Sequence, residues 1–413
     1  MTEAWIIDAC RTPRGVGKIG KGALADMHPQ RLGAAVLSAL VERNNINTAD
    51  VDDVIFGTST QIGTQGGDIA RMSALDAGFS MLASGVTLDR FCGSGITATN
   101  FAAAQVMAGM EDLVIAGGAE MMSSYAFNKA ANAEAQTLGS GNEHLAARYP
   151  QPHQGVAADA IASMEGITRR ALDELAALSQ ARAAVAIKEG RFERSLIPVF
   201  KDDGTLALDH EEFPRPNTTA DSLAALAPSF NAIADFPLDG AGTTFRQMIA
   251  RVYPDLVIEH MHHAGNSSGV VDGAAAILLA SPTYANAHGW KPRARVIAMA
   301  NVGDDPTLML NAPVPAARKA LAKAGLTVDD IDLFEVNEAF SVVTEKFIRD
   351  LHIDRDKINV NGGAMALGHP IGATRAVLIG TILDELERTG GRYGLVTMCA
   401  AGGMAPAIII ERI

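Results

Sequence analysis

Basic charge is in deficit in this chain: 34 Lys and Arg residues face 47 Asp and Glu, a formal net charge of −13 at pH 7. Nucleic acid and anionic membrane both demand a basic face, so neither is expected as the main partner, although a local basic pocket for one anionic ligand stays open. Cysteine is scarce as well. Three residues, Cys10, Cys92 and Cys399, cannot build a disulfide framework, which points to a reducing compartment. No run is long and apolar enough to span a membrane. Met1 to Asp8 enters a strand without the pattern of a signal or transit peptide, so the expected location is the cytoplasm. Low-complexity tails and long charge blocks are missing too, and disorder is not predicted. What is present is bulk: 413 residues, 48% apolar, enough for a large core and two or more domains. Forty glycines, with Ala-rich helical runs alternating with Val/Ile strands, predict α/β architecture with tight strand-to-helix turns.

One stretch stands out, Leu88 to Ala98. A β-prone run, Val86 to Leu88, stops at Arg90, and a small-residue turn delivers Cys92 to the start of an Ala-rich helix expected over Thr97 to Met107. A thiol at a helix N-terminus meets unpaired backbone N–H groups and the positive end of the helix dipole, both of which favour thiolate. Cys92 is therefore a candidate nucleophile; free Cys is also a common small core residue, and this stretch alone does not choose. Two motif look-alikes fail on context. Gly93 to Ala98 fits a dinucleotide fingerprint, but the acidic pair Glu111 and Asp112 precedes a strand instead of ending one. Gly265-Asn266-Ser267-Ser268-Gly269 fits a nucleophile elbow, but no convincing helix follows.

The chain repeats itself. Val51 to Gly57 resembles Ile331 to Asn337, each after an amphipathic helix (Gln30 to Glu42; Pro315 to Ala324). Downstream lie Cys92 in one copy and Gly368-His369-Pro370 in the other, each before a helix, and each copy ends in a strand with a Gly pair, Leu113 to Gly118 and Tyr393 to Gly403. Two facing α/β halves would bring Cys92 and His369 to equivalent places at a shared interface. The middle, about Met122 to Met261, matches neither half and reads as an insert covering that interface.

The second half adds Asn337 where a strand turns into a helix, His369 on a Gly-rich loop, and Cys399 at the end of a buried strand. Singly, these read as a cap, a loop His and a core Cys. With Cys92 they form the set needed for acyl transfer through a thioester.

Five motifs, Asp89-Arg90-Phe91-Cys92-Gly93-Ser94-Gly95, Ala116 to Ser123, Asn337-Glu338-Ala339-Phe340, Gly368-His369-Pro370 and Cys399-Ala400-Ala401-Gly402-Gly403, occur in an order that resembles the thiolases over nearly the whole chain. The resemblance implies duplicated βαβαβαββ halves in five αβαβα layers, with residues 1–121 and 263–280 forming one half, 122–262 an inserted loop domain and 281–413 the other half. It implies a homodimer or homotetramer, coenzyme A as co-substrate with no permanently bound cofactor or metal, and thiolytic cleavage of a 3-ketoacyl-CoA. In that scheme His369 takes the proton of Cys92, the thiolate attacks the 3-keto carbon, and Cys399 protonates the departing acetyl-CoA carbanion, then deprotonates the incoming CoA thiol. One oxyanion is held by His369 and a water fixed by Asn337, the other by the backbone N–H groups of Cys92 and Ala401. Arg215, Ser222 and Ser268 stand at the family's CoA-binding positions, with a solvated surface charge as the plain alternative for Arg215.

Departures bear on the substrate. Short-chain members carry His-Met-Gly where this chain has His153-Gln154-Gly155, and Ala401 replaces a common Gly. An extra stretch between Phe230 and His263 contains Phe236, Phe245, Arg246, Arg251 and Tyr253 and ends in His260-Met261-His262-His263, a cluster without the spacing of a metal site. The favoured reading is a degradative thiolase for medium or bulky acyl chains. Rivals are a biosynthetic acetyl-CoA C-acetyltransferase forming acetoacetyl-CoA, a ketosynthase, which uses Cys with two His, and a non-catalytic thiolase-fold protein binding CoA or lipid.

Overall fold

The computed structural model describes residues 2–124, 138–139 and 141–413. Its strands are β1 Trp5–Arg11, β2 Gly15–Val16, β3 Asp53–Gly57, β4 Val86–Leu88, β5 Leu113–Met121, β6 Val199–Phe200, β7 Leu206–Leu208, β8 Val271–Ala280, β9 Ala294–Gly303, β10 Leu333–Val336, β11 Tyr393–Thr397 and β12 Met404–Arg412. The main sheet runs β10-β11-β12-β9-β1-β8-β5-β3-β4, with β2 beside β8; β6 and β7 pair separately. Only two residue pairs, Trp5 with Arg295 and Ile6 with Ala294, join β1 to β9.

On either side of that junction the pairing is the same. β1 and β8, and β8 and β5, are antiparallel while β5, β3 and β4 are parallel. β9 and β12, and β12 and β11, are antiparallel while β11 and β10 are parallel. The register agrees as well: Phe56 opposes Gly117, and Val336 opposes Thr397. The parallel strands and the central helices share one spacing of 280 residues, as in Asp53 to Leu333, Ser94 to Thr374 and Leu113 to Tyr393.

Burial explains the layering. Every residue of β5 and β8 is buried, as strands covered on both faces must be. Helices Ser94–Ala108 and Thr374–Thr389 pack on each other and form the middle layer, in one core with Ile6, Val114, Ile277, Val296 and Ile408. Pro29–Asn44 and Ile69–Asp76 cover the outer face of the first half, Pro313–Ala324 and Ser341–Leu351 that of the second. The result is the five-layer α/β arrangement. The first of the central helices begins three residues earlier than the sequence alone indicates, because Ser94 and Gly95 are drawn into the buried middle layer. Among the described residues, no helix is long and apolar enough to cross a membrane.

Between β5 and β8 the described residues form helices Gln154–Met164 and Arg169–Lys188, the β6–β7 pair and four short helices. Two buried fastenings hold it to the layers. Glu211 accepts from both Arg11 (2.6 Å) and Arg14 (2.8 Å), and these guanidinium groups hold its carboxyl down at about 2 against the opposing effect of burial. On the other side, Ser179 donates to Glu338 (2.7 Å) and accepts from Gly363 N–H (2.9 Å).

Candidate active site

Cys92 is set by a tight turn. Asp89 accepts from Phe91 N–H (2.5 Å), Ser94 Oγ accepts from Arg90 N–H (2.9 Å) and donates to the Phe91 carbonyl (2.7 Å), and Gly93 N–H donates to Arg90 (2.6 Å). The turn forces Phe91 to φ +49°, a left-handed conformation that costs a non-glycine residue about 1–2 kcal/mol. Cys92 is thereby held, buried, immediately ahead of the Gly93 cap of the central helix, whose first turn carries no acidic side chain to offset the dipole. Close packing keeps the helix there: a Cβ on Gly57, at the end of β3, would lie 2.5 Å from Ser94 Cβ.

The His369 loop presses on the same strand ends. A Cβ on Gly372 would lie 2.4 Å from the Gly57 carbonyl oxygen. Gly372 N–H donates to Glu120 (2.9 Å), a fully buried carboxylate that also accepts from Ser59 N–H (2.8 Å) and Thr60 N–H (3.1 Å). Burial pushes the Glu120 carboxyl up and those donors pull it back. The Thr374 hydroxyl donates to the Pro370 carbonyl (2.9 Å), so its oxygen is an acceptor toward His369 Nδ1, 2.5 Å away. That puts the ring hydrogen on Nδ1 and makes Nε2 the basic nitrogen of the neutral imidazole.

Asn337 and Cys399 leave the sheet side by side. Val336 pairs with Thr397 and Asn337 N–H donates to the Thr397 carbonyl (3.3 Å). The Asn337 side chain is buried, and neither its Nδ2 nor its Oδ1 has a partner among the described residues. Such an amide costs about 1–3 kcal/mol unless water or ligand meets it. Cys399 lies at the head of a turn closed by Ala400 N–H to Met404 (2.7 Å) and Met404 N–H to Ala400 (3.2 Å), with Ala401 and Gly402 at its tip. The sequence suggests a thiol exposed at a strand end; the structure buries it, because the turn folds back into the second half's core.

The segment around Ser268 stitches these pieces together. Asn266 accepts from Ser341 N–H (3.0 Å), Ser268 N–H donates to Ala339 (2.9 Å), Gly269 N–H donates to Ala364 (3.0 Å), and Gly269 accepts from His369 N–H (2.9 Å). It is an irregular connector bridging Phe340, with no helix after it, which disposes of the nucleophile elbow. The two halves do not contribute equivalent residues. At a spacing of 280, Cys92 corresponds to Gly372, and His369 corresponds to Asp89, three positions from the equivalence that the motifs suggest. Asn337 corresponds to Gly57 and Cys399 to Ala119.

Of the other sequence candidates, Arg215 is exposed, with its guanidinium 5.6 Å over Phe213 and its N–H on Gln180 (2.8 Å). The exposed Ser222 spends its hydroxyl in a capping box, donating to the Thr219 carbonyl (2.8 Å) and accepting from Thr219 N–H (3.0 Å). Ser268 and Gln154 are half-buried. His153 caps helix Gln154–Met164 by accepting from Gly155 N–H (3.1 Å), and packing lowers its pKa, which suits an acceptor. Its ring meets Phe230 (5.5 Å) and Phe245 (5.9 Å), and Phe230 meets Phe340 edge-on (5.8 Å). In the histidine cluster, His260 and His262 bond Asp159 (2.8 and 2.7 Å) and His263 bonds Asp173 (3.0 Å); among the described residues no group of three or more His, Cys, Asp or Glu could hold a metal.

Two bracing carboxylates escaped the sequence reading, which quoted them only inside motifs. Glu120 clamps the His369 loop to β3 and β5. Glu338 joins Ser179, Asn359 Nδ2 (3.1 Å) and Met365 N–H (3.1 Å), and burial raises its pKa. For Glu120 the available signal was an acid inside a run otherwise fully apolar, Leu113 to Met121.

A thiolase N-terminal domain family model matches residues 4–234, and a thiolase C-terminal domain model matches residues 290–412. A steroid 3-ketoacyl-CoA thiolase of Mycobacterium tuberculosis is 40% identical, the match covering 100% of this chain and 95% of that protein. An acetyl-CoA acetyltransferase of Syntrophomonas wolfei is 38% identical over 99% of both chains, and a β-ketoadipyl-CoA thiolase of Acinetobacter baylyi 38% over 100% of both. With its duplicated five-layer fold and full-length relatives, the chain belongs to the thiolase family of acyltransferases.

Proposed function

We propose that this thiolase cleaves 3-ketoacyl-CoA esters larger than acetoacetyl-CoA, using coenzyme A to give acetyl-CoA and a shortened acyl-CoA. His369 Nε2 takes the Cys92 proton, and the thiolate adds to the 3-keto carbon. The bond between the second and third carbons then breaks; its electron pair leaves with the acetyl-CoA fragment, which takes a proton from Cys399. In the second half, Cys399 accepts the proton of CoA-SH, the CoA thiolate takes the acyl group, and the departing Cys92 thiolate recovers its proton from His369, restoring the enzyme. Asn337 fixes a water at the first oxyanion, and the backbone N–H groups of Cys92 and Ala401 meet the second. CoA lies along Ser268, with Arg215 and Ser222 toward its adenine end; Ser222 must then give up its capping bond or offer only its oxygen.

The observation that carries this reading is the His369–Thr374–Pro370 chain, which orients an imidazole as base on a loop packed against the same strand ends as the Cys92 turn. Gln154, in place of a pocket-filling Met, supports a larger acyl group. Relatives named acetyl-CoA acetyltransferase match at 38% identity over nearly their full length and favour the synthetic direction as the second reading. Exposed Met81 (84%) and Leu82 (76%) beside edge strand β4 support homo-oligomer formation, and a cytoplasmic setting keeps both thiols reduced.

Mass spectrometry after mixing with 3-oxohexanoyl-CoA tests the assignment. An acyl adduct on Cys92, absent in Cys92→Ala and persisting in Cys399→Ala, is expected; an adduct on Cys399 reverses it. Acetoacetyl-CoA as the best substrate of a chain-length panel replaces the degradative reading with the acetyltransferase one.

A further inference from the structure

We propose that the extra segment 231–263 sets acyl specificity: Phe245 extends the aromatic face of Phe340, Phe230 and His153, and this face selects a bulky, uncharged acyl group and excludes one ending in a carboxylate. The inference rests on the thiolytic reading above.

The face starts at the chemistry. Phe340 lies three residues from Asn337 and its backbone bridges Ser267. Phe230 stands edge-on to it at 5.8 Å, His153 tilts against Phe230 at 5.5 Å, and Phe245 against His153 at 5.9 Å. Three of these four rings belong to the covering loop or the second half; only Phe245 comes from the extra segment. It opens helix Phe245–Ala250, held by a Thr244–Gln247 capping box, and is buried with Met248 and Ile249 in the same apolar cluster as Cys399 and Ala339. The ring planes meet at 75°, 35° and 55° along this series, so the rings form an angled, polarisable apolar wall that suits a bulky group better than a slender one.

Charge supplies the exclusion. Residues 231–263 hold Asp235, Asp239, Asp255 and Glu259 against Arg246 and Arg251, a net −2 with His neutral. Arg246 is already committed to Asp235 (2.7 Å) and to His260 Nε2 (2.9 Å), Tyr253 donates to Asp305 (2.6 Å), and Arg251 is exposed. The segment's arginines are thus paired or exposed, and its buried imidazole beside Phe340, His262 (5.7 Å), is already bonded through Nδ1 to Asp159 (2.7 Å), so a second carboxylate would meet apolar rings and like charge.

The test is kcat/KM for acetoacetyl-CoA, 4-cyclohexyl-3-oxobutanoyl-CoA and 3-oxoadipyl-CoA in the wild type, Phe245→Ala and Phe245→Leu. The wild type is expected to prefer the cyclohexyl substrate. Phe245→Ala should lower that value roughly tenfold or more and the acetoacetyl value less than about threefold, with Phe245→Leu between. Acetoacetyl turnover reports a folded site, and the Leu variant keeps the test alive if the Ala variant does not fold. Equal losses on both substrates, or 3-oxoadipyl-CoA as the best wild-type substrate, overturn the specificity proposal alone. Thiolysis of none of the three overturns both this proposal and the catalytic reading.

Discussion

Removing one oxygen atom from Thr374 separates a catalytic role for His369 from a packing role. In Thr374→Val the Nδ1–H of His369 loses the hydroxyl acceptor 2.5 Å away, and the Pro370 carbonyl loses a donor at 2.9 Å. Thr374 is 1% exposed, so bulk water does not replace it. Each neutral hydrogen bond contributes about 1 kcal/mol net, and a stranded buried donor costs about 1–3 kcal/mol. Stability should therefore fall by about 2 kcal/mol, read from urea unfolding. The bias toward the Nδ1–H tautomer falls by about 1–2 kcal/mol, and with each 1.4 kcal/mol worth about tenfold, Cys92 acylation should slow roughly 5- to 30-fold in rapid-quench measurements. Thr374→Ser keeps the oxygen and should recover most of the rate. Acylation at the wild-type rate in a folded Thr374→Val enzyme would refute the tautomer argument; equal slowing in the Ser variant would assign the effect to packing.

Asn337→Leu removes an amide with no partner among the described residues, so folding stability should change by less than about 1 kcal/mol while turnover falls about 10²- to 10³-fold, the scale of a lost oxyanion contact; a variant as active as the wild type contradicts the assignment. Gly57→Ala places a methyl 2.5 Å from Ser94 Cβ and should cost about 1–3 kcal/mol while displacing the Cys92 turn, seen as lower thermal stability together with slower iodoacetamide labelling of Cys92. Burial lifts the Asp272 carboxyl from its ordinary value to about 6. A raised acid pKa means that the folded protein holds this proton more tightly, so stability falls as pH rises from about 4 through 6, by about 3 kcal/mol from this group. The wild type minus Asp272→Asn difference in unfolding free energy should carry that slope, and a difference independent of pH between 4 and 8 rules it out.

The fold was legible because its signals were redundant: the repeat of Val51–Gly57 at Ile331–Asn337 survives as identical strand pairing and register, and the buried strands read as continuous apolar runs. The four reactive candidates were legible as residue types at strand ends. What stayed hidden was relational. Thr374 lies five residues beyond His369, and nothing in that spacing announces a hydrogen bond. The bracing roles of Glu120 and Glu338 depend on backbone donors from Gly372 and Met365, distant in sequence and visible only when the loops are folded together. The start of the central helix was misjudged because Ser and Gly are poor helix formers alone, and burial in the middle layer overrides that preference. The histidine cluster lacks the spacing of a metal site in the sequence, but its partners, Asp159 and Asp173, about 100 and 90 residues earlier, are visible only in the folded chain.

The position of β8 between β1 and β5 shapes how the polypeptide is made. Both neighbours are complete once Met121 has been added, yet the strand that pairs with each of them ends at Ala280. At about 5–20 residues per second, the ribosome needs roughly 8–30 s to supply the stretch between. Throughout that interval β1 and β5 present bare backbone edges flanked by Ala, Val and Ile, a template for pairing with neighbouring chains. Closure also waits on contacts distant in sequence, which slows folding further. Production of this protein is therefore set by how well those two edges are shielded before β8 emerges, and holding factors that bind extended apolar segments will raise its yield more than any added contact in the finished fold.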